Sequence, residues 1–188
     1  MPIQPTCPLT HDDLCPNARP ARSSAGHSGA IAAAVLATAA LLPGAALADE
    51  RVCRGALGAI TVDNLRVPDH GTCTLDGTHV DGNVKIESSA TLTANRIRVA
   101  GNIQAENHRT VSVASSRIGG SIQLVQGGRS DLQGNRVDSD IQLFENRGGQ
   151  TVSNNKVGGN LQCKENRSSP QGARNIVGGN KEDQCRGL

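Results

Sequence analysis

The chain has 188 residues, a formal net charge of +2 at neutral pH and neither Trp nor Tyr, and Phe144 is its single Phe. This near absence of aromatic side chains argues against an ordinary globular core, because large aromatic residues usually help to fill such a core. It also argues against the polysaccharide lyases and hydrolases built on β-helices, whose grooves are lined by aromatic side chains.

An export signal is predicted near the N-terminus. Residues 31–42 are an apolar run rich in Ala and Leu, which follows Arg19 and Arg22 and precedes Ala46-Leu47-Ala48. The run is too short to span a membrane as a helix, and the small residues after it are typical of a signal-peptide cleavage site. We therefore expect cleavage after Ala48, a periplasmic or extracellular location, no membrane span and one mature domain over residues 49–188.

The segment ahead of this signal is atypical of a leader. It contains Cys7, Cys15 and two aspartates, which are unusual before a basic region. We expect the natural start to be internal, at Leu9 or Leu14, and residues 1–48 to stay outside the folded domain.

A short phrase recurs through the mature chain at nearly constant spacing. Its copies are Gly82-Asn83-Val84-Lys85, Gly101-Asn102-Ile103-Gln104, Gly120-Ser121-Ile122-Gln123, Ser139-Asp140-Ile141-Gln142 and Gly159-Asn160-Leu161-Gln162. The apolar residue advances by 19, 19, 19 and 20 positions, and a Val or Ile ahead of each copy keeps the same interval. Two landmarks in phase predict a repeat protein.

Each repeat has the pattern of three short strands. Apolar and polar residues alternate, as in Ile122-Gln123-Leu124, and no window shows a helical stripe. Gly, Asn, Asp and Ser separate the strands, and we expect them to supply the positive φ angles of tight corners. The pattern predicts an all-β fold, a single-stranded, short-coil, right-handed parallel β-helix of about six coils with strands roughly 4.8 Å apart.

The repeat assigns the inward side chains to four columns. The first two are Leu65, Val84, Ile103, Ile122, Ile141, Leu161 and Val67, Ile86, Ala105, Leu124, Leu143, Cys163. The other two are Leu75, Ala94, Val113, Leu132, Val152 and Val62, Val80, Val99, Ile118, Val137, Val157, Val177. At the strand spacing of a sheet these columns predict a slim rod about 30 Å long.

Cysteines stand at both ends of the repeat region. Cys53 and Cys73 are 20 residues apart, and Cys163 and Cys185 are 22 apart, so one coil separates each pair. An exported chain favours bridges over free buried thiols, and we expect the disulfides Cys53–Cys73 and Cys163–Cys185 to cap the rod. No metal site is expected, because no Cys-x-x-Cys motif is present.

Stacking of the coils turns single outward residues into rows. We name one of them the basic row, and it consists of His79, Arg98, Arg117, Arg136 and Lys156. Stacked like charges repel, a cost that a purely structural surface could avoid. One interpretation of the row is a track for an anionic polymer such as a surface polysaccharide, another envelope polymer or nucleic acid. The alternative is a solvated row of basic residues that protects sheet edges.

A second row contains Gln104, Gln123, Gln142 and Gln162, flanked by Lys85 and Glu182. Stacked glutamines exchange amide hydrogen bonds, so this row predicts a stabilising ladder, with self-assembly as the alternative. Glu and Arg residues alternate at the next corner, including Glu145, Arg147, Glu165 and Arg167, and predict a surface network of ion pairs.

Catalytic groups are sparse. Asp138 and Asp140 flank Ser139 and could suggest a calcium site or an acid pair, but their position between strands favours corner residues. His70, His79 and His108 fall in different parts of the coil, with no carboxylate spaced to orient them. We therefore expect no enzyme activity and no cofactor.

The C-terminal segments carry a resemblance. Gly159-Asn160-Leu161-Gln162-Cys163-Lys164-Glu165-Asn166 and Gly178-Gly179-Asn180-Lys181-Glu182-Asp183-Gln184-Cys185 resemble a group of small exported bacterial parallel β-helix proteins of unknown function. The resemblance covers the mature chain and implies no catalytic residues. More loosely, the short coils are similar to those of bactofilins, which polymerise end to end, although this chain differs in its export signal and paired cysteines.

These observations predict a secreted or periplasmic, non-enzymatic protein whose rigid faces serve binding or envelope structure, with an anionic polymer as the expected partner. A self-assembling envelope or filament-forming protein is the alternative, and a polysaccharide-acting enzyme is a minor one.

Overall fold

A computed structural model describes residues 49–188 of the chain. The predicted signal peptide, its cleavage site and the expected internal start at Leu9 or Leu14 fall on or next to residues 1–48, and these predictions lie outside the described residues. The structure accordingly concerns the predicted mature domain alone.

Three parallel sheets of short strands make up this domain. Sheet A contains β1 (Glu50–Val52), β4 (Asn64–Val67), β7 (Val84–Ile86), β10 (Ile103–Glu106), β13 (Ile122–Val125), β16 (Ile141–Phe144), β19 (Leu161–Lys164) and β21 (Lys181–Asp183). Sheet B contains β2 (Gly55–Leu57), β5 (Thr72–Asp76), β8 (Thr91–Asn95), β11 (Thr110–Ala114), β14 (Arg129–Gln133) and β17 (Gln150–Ser153). Sheet C contains β3 (Thr61–Val62), β6 (His79–Val80), β9 (Arg98–Val99), β12 (Arg117–Ile118), β15 (Arg136–Val137), β18 (Lys156–Val157) and β20 (Ile176–Val177).

Each strand pairs with the strand one coil later, in the register that the repeat predicts. Ile103 lies beside Ile122, and Gln104 lies beside Gln123. The described residues contain no helix. The predicted all-β fold, a parallel β-helix with coils of 19 to 20 residues, is therefore confirmed.

The solenoid has about seven turns rather than the six predicted, and its eight strands in sheet A span about 34 Å. The missed strands are at the ends, where the inward positions of sheet A carry charges. Arg51 continues the first column below Leu65, and Lys181 continues it above Leu161. The apolar pattern that marks the other coils is absent from these strands.

The four predicted columns form the core. All of their members are buried except Val62 and Val177 at the ends, which are half-buried. Sheet B adds a column that the sequence analysis did not assign, consisting of Cys73, Leu92, Val111, Ser130 and Gln150. It becomes polar toward the C-terminal end, where the Ser130 hydroxyl donates a hydrogen bond to Oε1 of Gln150.

Two corners of most coils hold a residue with positive φ. Gly77, Gly134, Ser89, Asn107, Ser115 and Asn154 fit the prediction for such sites. Arg96, Gln126 and Glu145 do not, and they adopt φ of 51°, 54° and 55°. A left-handed conformation costs a non-glycine residue about 1–2 kcal/mol. Backbone hydrogen bonds between coils offset this cost, since Gln126 N–H donates to Phe144 O and Glu145 N–H donates to Lys164 O.

Buried amides form two ladders inside the corners. In one, the backbone N–H groups of Asn135 and Asn155 donate to Oδ1 of the next asparagine, Asn155 and Asn175, at 3.0 and 3.1 Å. The other runs through Asn146, Asn166 and Gln184 in the same sense. Each ladder satisfies polar groups that would otherwise be unpaired in the interior.

The recurring Gly-Asn pair has a packing explanation. The side-chain oxygen of the Asn accepts a hydrogen bond from the backbone one coil later, as Asn102 Oδ1 does from Ser121 N–H at 2.7 Å. The glycine of that later coil, Gly120, has no room for a Cβ, which would overlap Asn102 Oδ1. Ser139 replaces this glycine in the one coil that follows Ser121, whose side chain is shorter than that of Asn.

Both predicted cysteine pairs lie at disulfide distance. The Cα atoms are 5.6 Å apart for Cys53 and Cys73, and 5.2 Å apart for Cys163 and Cys185. All four residues are buried against the terminal coils, so each pair covers an end of the core.

Loss of either bridge should destabilise its own end of the rod. For Cys53→Ser/Cys73→Ser and for Cys163→Ser/Cys185→Ser we expect a loss of about 2–4 kcal/mol in the free energy of unfolding, from loop-closure entropy. Hydrogen exchange should increase first in the coil next to the removed bridge. Peptide mapping without reductant that finds all four residues as free thiols in protein recovered from an oxidising compartment would contradict the assignment.

Candidate binding faces

The basic row lies on the outer face of sheet C. Its strands are two residues long, so each presents one inward Val or Ile and one outward residue. His79 pairs with Arg98, Arg98 with Arg117, Arg117 with Arg136 and Arg136 with Lys156 in direct register. The predicted row is thus present as five stacked side chains that extend over about 19 Å.

Acidic groups interrupt the row at two places. Asp138 accepts a hydrogen bond from Arg117 Nη2 at 3.1 Å and another from Arg136 Nε at 3.2 Å. His79 Nε2 lies 3.1 Å from Oδ1 of Asp81. Arg98 and Lys156 form no ion pair with any acidic residue of the described chain. The row therefore keeps exposed cationic groups on both sides of Asp138.

Small residues flank part of the basic row on its C-terminal side. The residue after the landmark Val or Ile is small beside Arg98, Arg117 and Lys156, where it is Ala100, Gly119 and Gly158, whereas Asp81 and Asp138 take this position beside His79 and Arg136. A Cβ at Gly119 would overlap the carbonyl oxygen of Ala100, so close stacking of the coils explains the glycine. One consequence is that an extended ligand can approach Arg98, Arg117 and Lys156 without meeting a bulky neighbour of the same coil on this side.

The glutamine row of sheet A forms the predicted ladder. Gln104, Gln123 and Gln142 each donate from Nε2 to Oε1 of the next glutamine at 2.9 Å. Gln162 completes the ladder by donating to the carboxylate of Glu182 at 2.8 Å. All the amides point in one direction, and the ladder ends on a group that only accepts hydrogen bonds.

The predicted ion-pair network at the corner between sheets A and B is absent from the described residues. Arg109, Arg129, Arg147 and Arg167 form no ion pair with an acidic residue there. Lys164 pairs with Glu165 at 3.6 Å, and Glu87, at the position of Glu106 one coil earlier, pairs with Arg66 and Lys85 at 3.3 and 3.6 Å. The reason is geometric. Glu145 occupies the left-handed corner position, and the inward Asn146 separates it from Arg147.

The candidate catalytic groups do not converge. Asp138 pairs with two arginines of the basic row, and Asp140 accepts a hydrogen bond from Asn160 N–H at 2.6 Å in the corner. His108 is buried at another corner, away from His79 on sheet C. Residues 49–188 contain no cluster of three or more His, Cys, Asp or Glu side chains arranged to hold a metal ion.

Sequence reasoning missed two acids beside the basic row, Asp81 and Asp138. The expectation that no carboxylate is spaced to orient His79 was wrong, because Asp81 lies two residues later and its Oδ1 is 3.1 Å from His79 Nε2. Sequence reasoning also treated Asp138 as a corner residue, although the two-residue spacing from Arg136 places both side chains on the outside of neighbouring segments. That spacing, read together with the row, was the available signal. The contact with Arg117 depends on side-chain conformations that the repeat does not specify.

No protein-family model matches this chain, and neither a curated protein nor a solved structure is significantly similar to it. No helix of the described part of the chain is long and apolar enough to cross a membrane. The faces of the solenoid must therefore be interpreted from their own geometry.

Proposed function

We propose that the mature chain is an exported, non-enzymatic protein that binds an anionic polymer along the basic row. The observation that carries the proposal is the direct register of five basic or potentially basic side chains on a rigid sheet, with Arg98 and Lys156 free of acidic partners within the described chain. A polymer with repeated negative charges can contact several side chains of the basic row at once, so the free energies of individually weak surface contacts add along its length.

Two features support export and a function in the periplasm or outside the cell. The cysteine pairs at disulfide distance fit an oxidising compartment, where such bridges persist. They also cover both ends of a slim core that has no aromatic side chains in its columns. Both features suit a rigid rod that stays folded without a partner.

The end strands disfavour the alternative of end-to-end assembly. Arg51 and Lys181 occupy the same inward column at opposite ends of sheet A. Head-to-tail stacking in register would therefore bring two positive charges together at a buried position, which is unfavourable. Charged end strands are a common protection against pairing with a second chain.

Removal of the central arginines should abolish polymer binding. For the triple variant Arg98→Gln, Arg117→Gln, Arg136→Gln we expect elution from heparin and from an anionic surface polysaccharide at a much lower salt concentration than for the unaltered protein. Attraction between exposed charges is screened over about 10 Å at 0.1 M salt, so binding of the unaltered protein should weaken steeply as salt is added.

The matched control is Arg109→Gln, Arg129→Gln, Arg147→Gln, which removes the same charge from residues outside the row. These three arginines form no ion pair with the described chain, and we expect retention close to that of the unaltered protein. Equal loss in the two variants would indicate a general charge effect. Unchanged retention of the first variant would refute the row as a binding site and leave it as a solvated surface.

A further inference from the structure

We propose that the basic row selects a linear acidic polysaccharide that turns one carboxylate toward the protein at every second sugar. This inference rests on the proposed function, since it concerns the same five side chains. It follows from the position of Asp138 within the row and from the spacing of the strands.

Asp138 shows how the row holds a carboxylate. Its two oxygens bridge neighbouring rungs, with one contact to Arg117 Nη2 at 3.1 Å and one to Arg136 Nε at 3.2 Å. The space between two rungs therefore accommodates one carboxylate with a charge-assisted hydrogen bond from each side. The stacked residues Arg98, Arg117, Arg136 and Lys156 have three spaces between them. Asp138 occupies the middle space, between Arg117 and Arg136.

Two equivalent spaces remain, one on each side of Asp138. Arg98 and Arg117 border the first, and Arg136 and Lys156 border the second. Arg117 contacts Asp138 through Nη2 and Arg136 contacts it through Nε, so each guanidinium keeps other N–H groups for its second space. The two open spaces are two strand intervals apart, or roughly 10 Å.

This interval suits a polysaccharide whose repeat is a disaccharide. One pyranose ring advances a chain by close to one strand interval, so carboxylates that face the protein on alternate sugars meet alternate spaces. A polymer with a charge opposite every space would place one of them against Asp138, and like charges in direct contact are unfavourable. Asp138 thus acts as a filter for charge spacing.

Nucleic acids fit this face less well. The phosphates of one duplex DNA strand advance by about 3.4 Å along the helix axis and wind around it, so they cannot follow a straight row of side chains at intervals of about 4.8 Å. Single-stranded nucleic acid is usually held by stacking of its bases on aromatic side chains. The sequence has neither Trp nor Tyr, and Phe144 lies on sheet A rather than beside the row.

The test compares two polymers on two variants. Hyaluronate oligosaccharides carry one carboxylate per disaccharide, whereas inorganic polyphosphate carries charges at intervals shorter than one strand spacing. Titration calorimetry should give the dissociation constant of each polymer for the unaltered protein, for Asp138→Asn and for Asp131→Asn. Asp131 is an outward acid of sheet B, so its replacement changes net charge equally but leaves the row intact.

We expect Asp138→Asn to tighten polyphosphate binding about fivefold more than hyaluronate binding, a differential of about 1 kcal/mol. Asp131→Asn should change both polymers alike. Equal tightening of both polymers by Asp138→Asn would overturn the spacing filter while leaving polymer binding by the row intact. If neither polymer binds, or if binding is unchanged in the variant Arg98→Gln, Arg117→Gln, Arg136→Gln, the proposed function would instead be overturned.

Discussion

Replacement of Ile118 by Asp should cost about 3–5 kcal/mol in the free energy of unfolding and leave the domain largely unfolded. Ile118 is fully buried in the fourth column, between Val99 and Val137 in the neighbouring coils. A carboxylate at this position has no cationic partner inside the core, and an uncompensated buried charge is among the most destabilising single changes.

The matched control is its neighbour. Arg117 is exposed and points outward from the same two-residue strand, β12. Its ion pair with Asp138 lies on the surface, so Arg117→Gln should cost no more than about 1 kcal/mol. Urea unfolding followed by circular dichroism measures both changes. Similar stability of the two variants would contradict the register of sheet C.

Acid should destabilise the domain through His108. The ring is buried, and neither Nδ1 nor Nε2 has a hydrogen-bond partner among the described residues. It occupies the space that a Cβ on Gly127 of the next coil would fill. Burial disfavours the charged imidazolium and lowers the pKa of His108 from 6.5 to about 4.

The sign of the pH effect follows from this shift. Between pH 6.5 and about 4 the unfolded chain binds a proton at His108 while the folded protein does not, so stability falls as the pH decreases through this range. The difference corresponds to about 3 kcal/mol. Below about pH 4 both states carry the proton, and the contribution of His108 no longer changes.

Comparison of His108→Asn with His79→Gln separates this effect from other titrating groups. Asn was chosen because it is the residue at the equivalent position in two later coils, as Asn146 and Asn166. We expect the stability of His108→Asn to depend less on pH between 6.5 and 4, whereas His79→Gln, which alters an exposed ring, should retain the dependence. Identical slopes for His108→Asn and the unaltered protein would rule out His108 as the cause.

The core could be predicted from sequence because two periods coincide. Alternation at period two assigns each strand residue to a face, and the interval of 19 or 20 residues aligns Ile103, Ile122 and Ile141 in one column. The end coils could not be predicted in this way. Their inward positions hold Arg51, Lys181 and Asp183, because a terminal strand is covered on one side only.

The corners and the candidate site were predicted less completely. Positive φ at Arg96 or Glu145 has no signature in residue type, since contacts with neighbouring coils rather than local preference hold the backbone there. The basic row was predicted because register alone defines it. Its pairing with Asp138 was not, since the reach of an arginine side chain decides which acid it contacts.

The packing of each Asn against the glycine one coil later has a consequence for how such a protein can change over time. A coil is compatible only with particular predecessors, because Gly120 is required by Asn102, whereas Ser139 is permitted after Ser121. Duplication or exchange of whole coils would therefore succeed only when the incoming coil matches the one below it. The residue at the glycine position of each coil thus depends on the Asn or Ser of the coil before it. A change from Gly to Ser in one coil should therefore follow, and not precede, a change from Asn to Ser in the preceding coil.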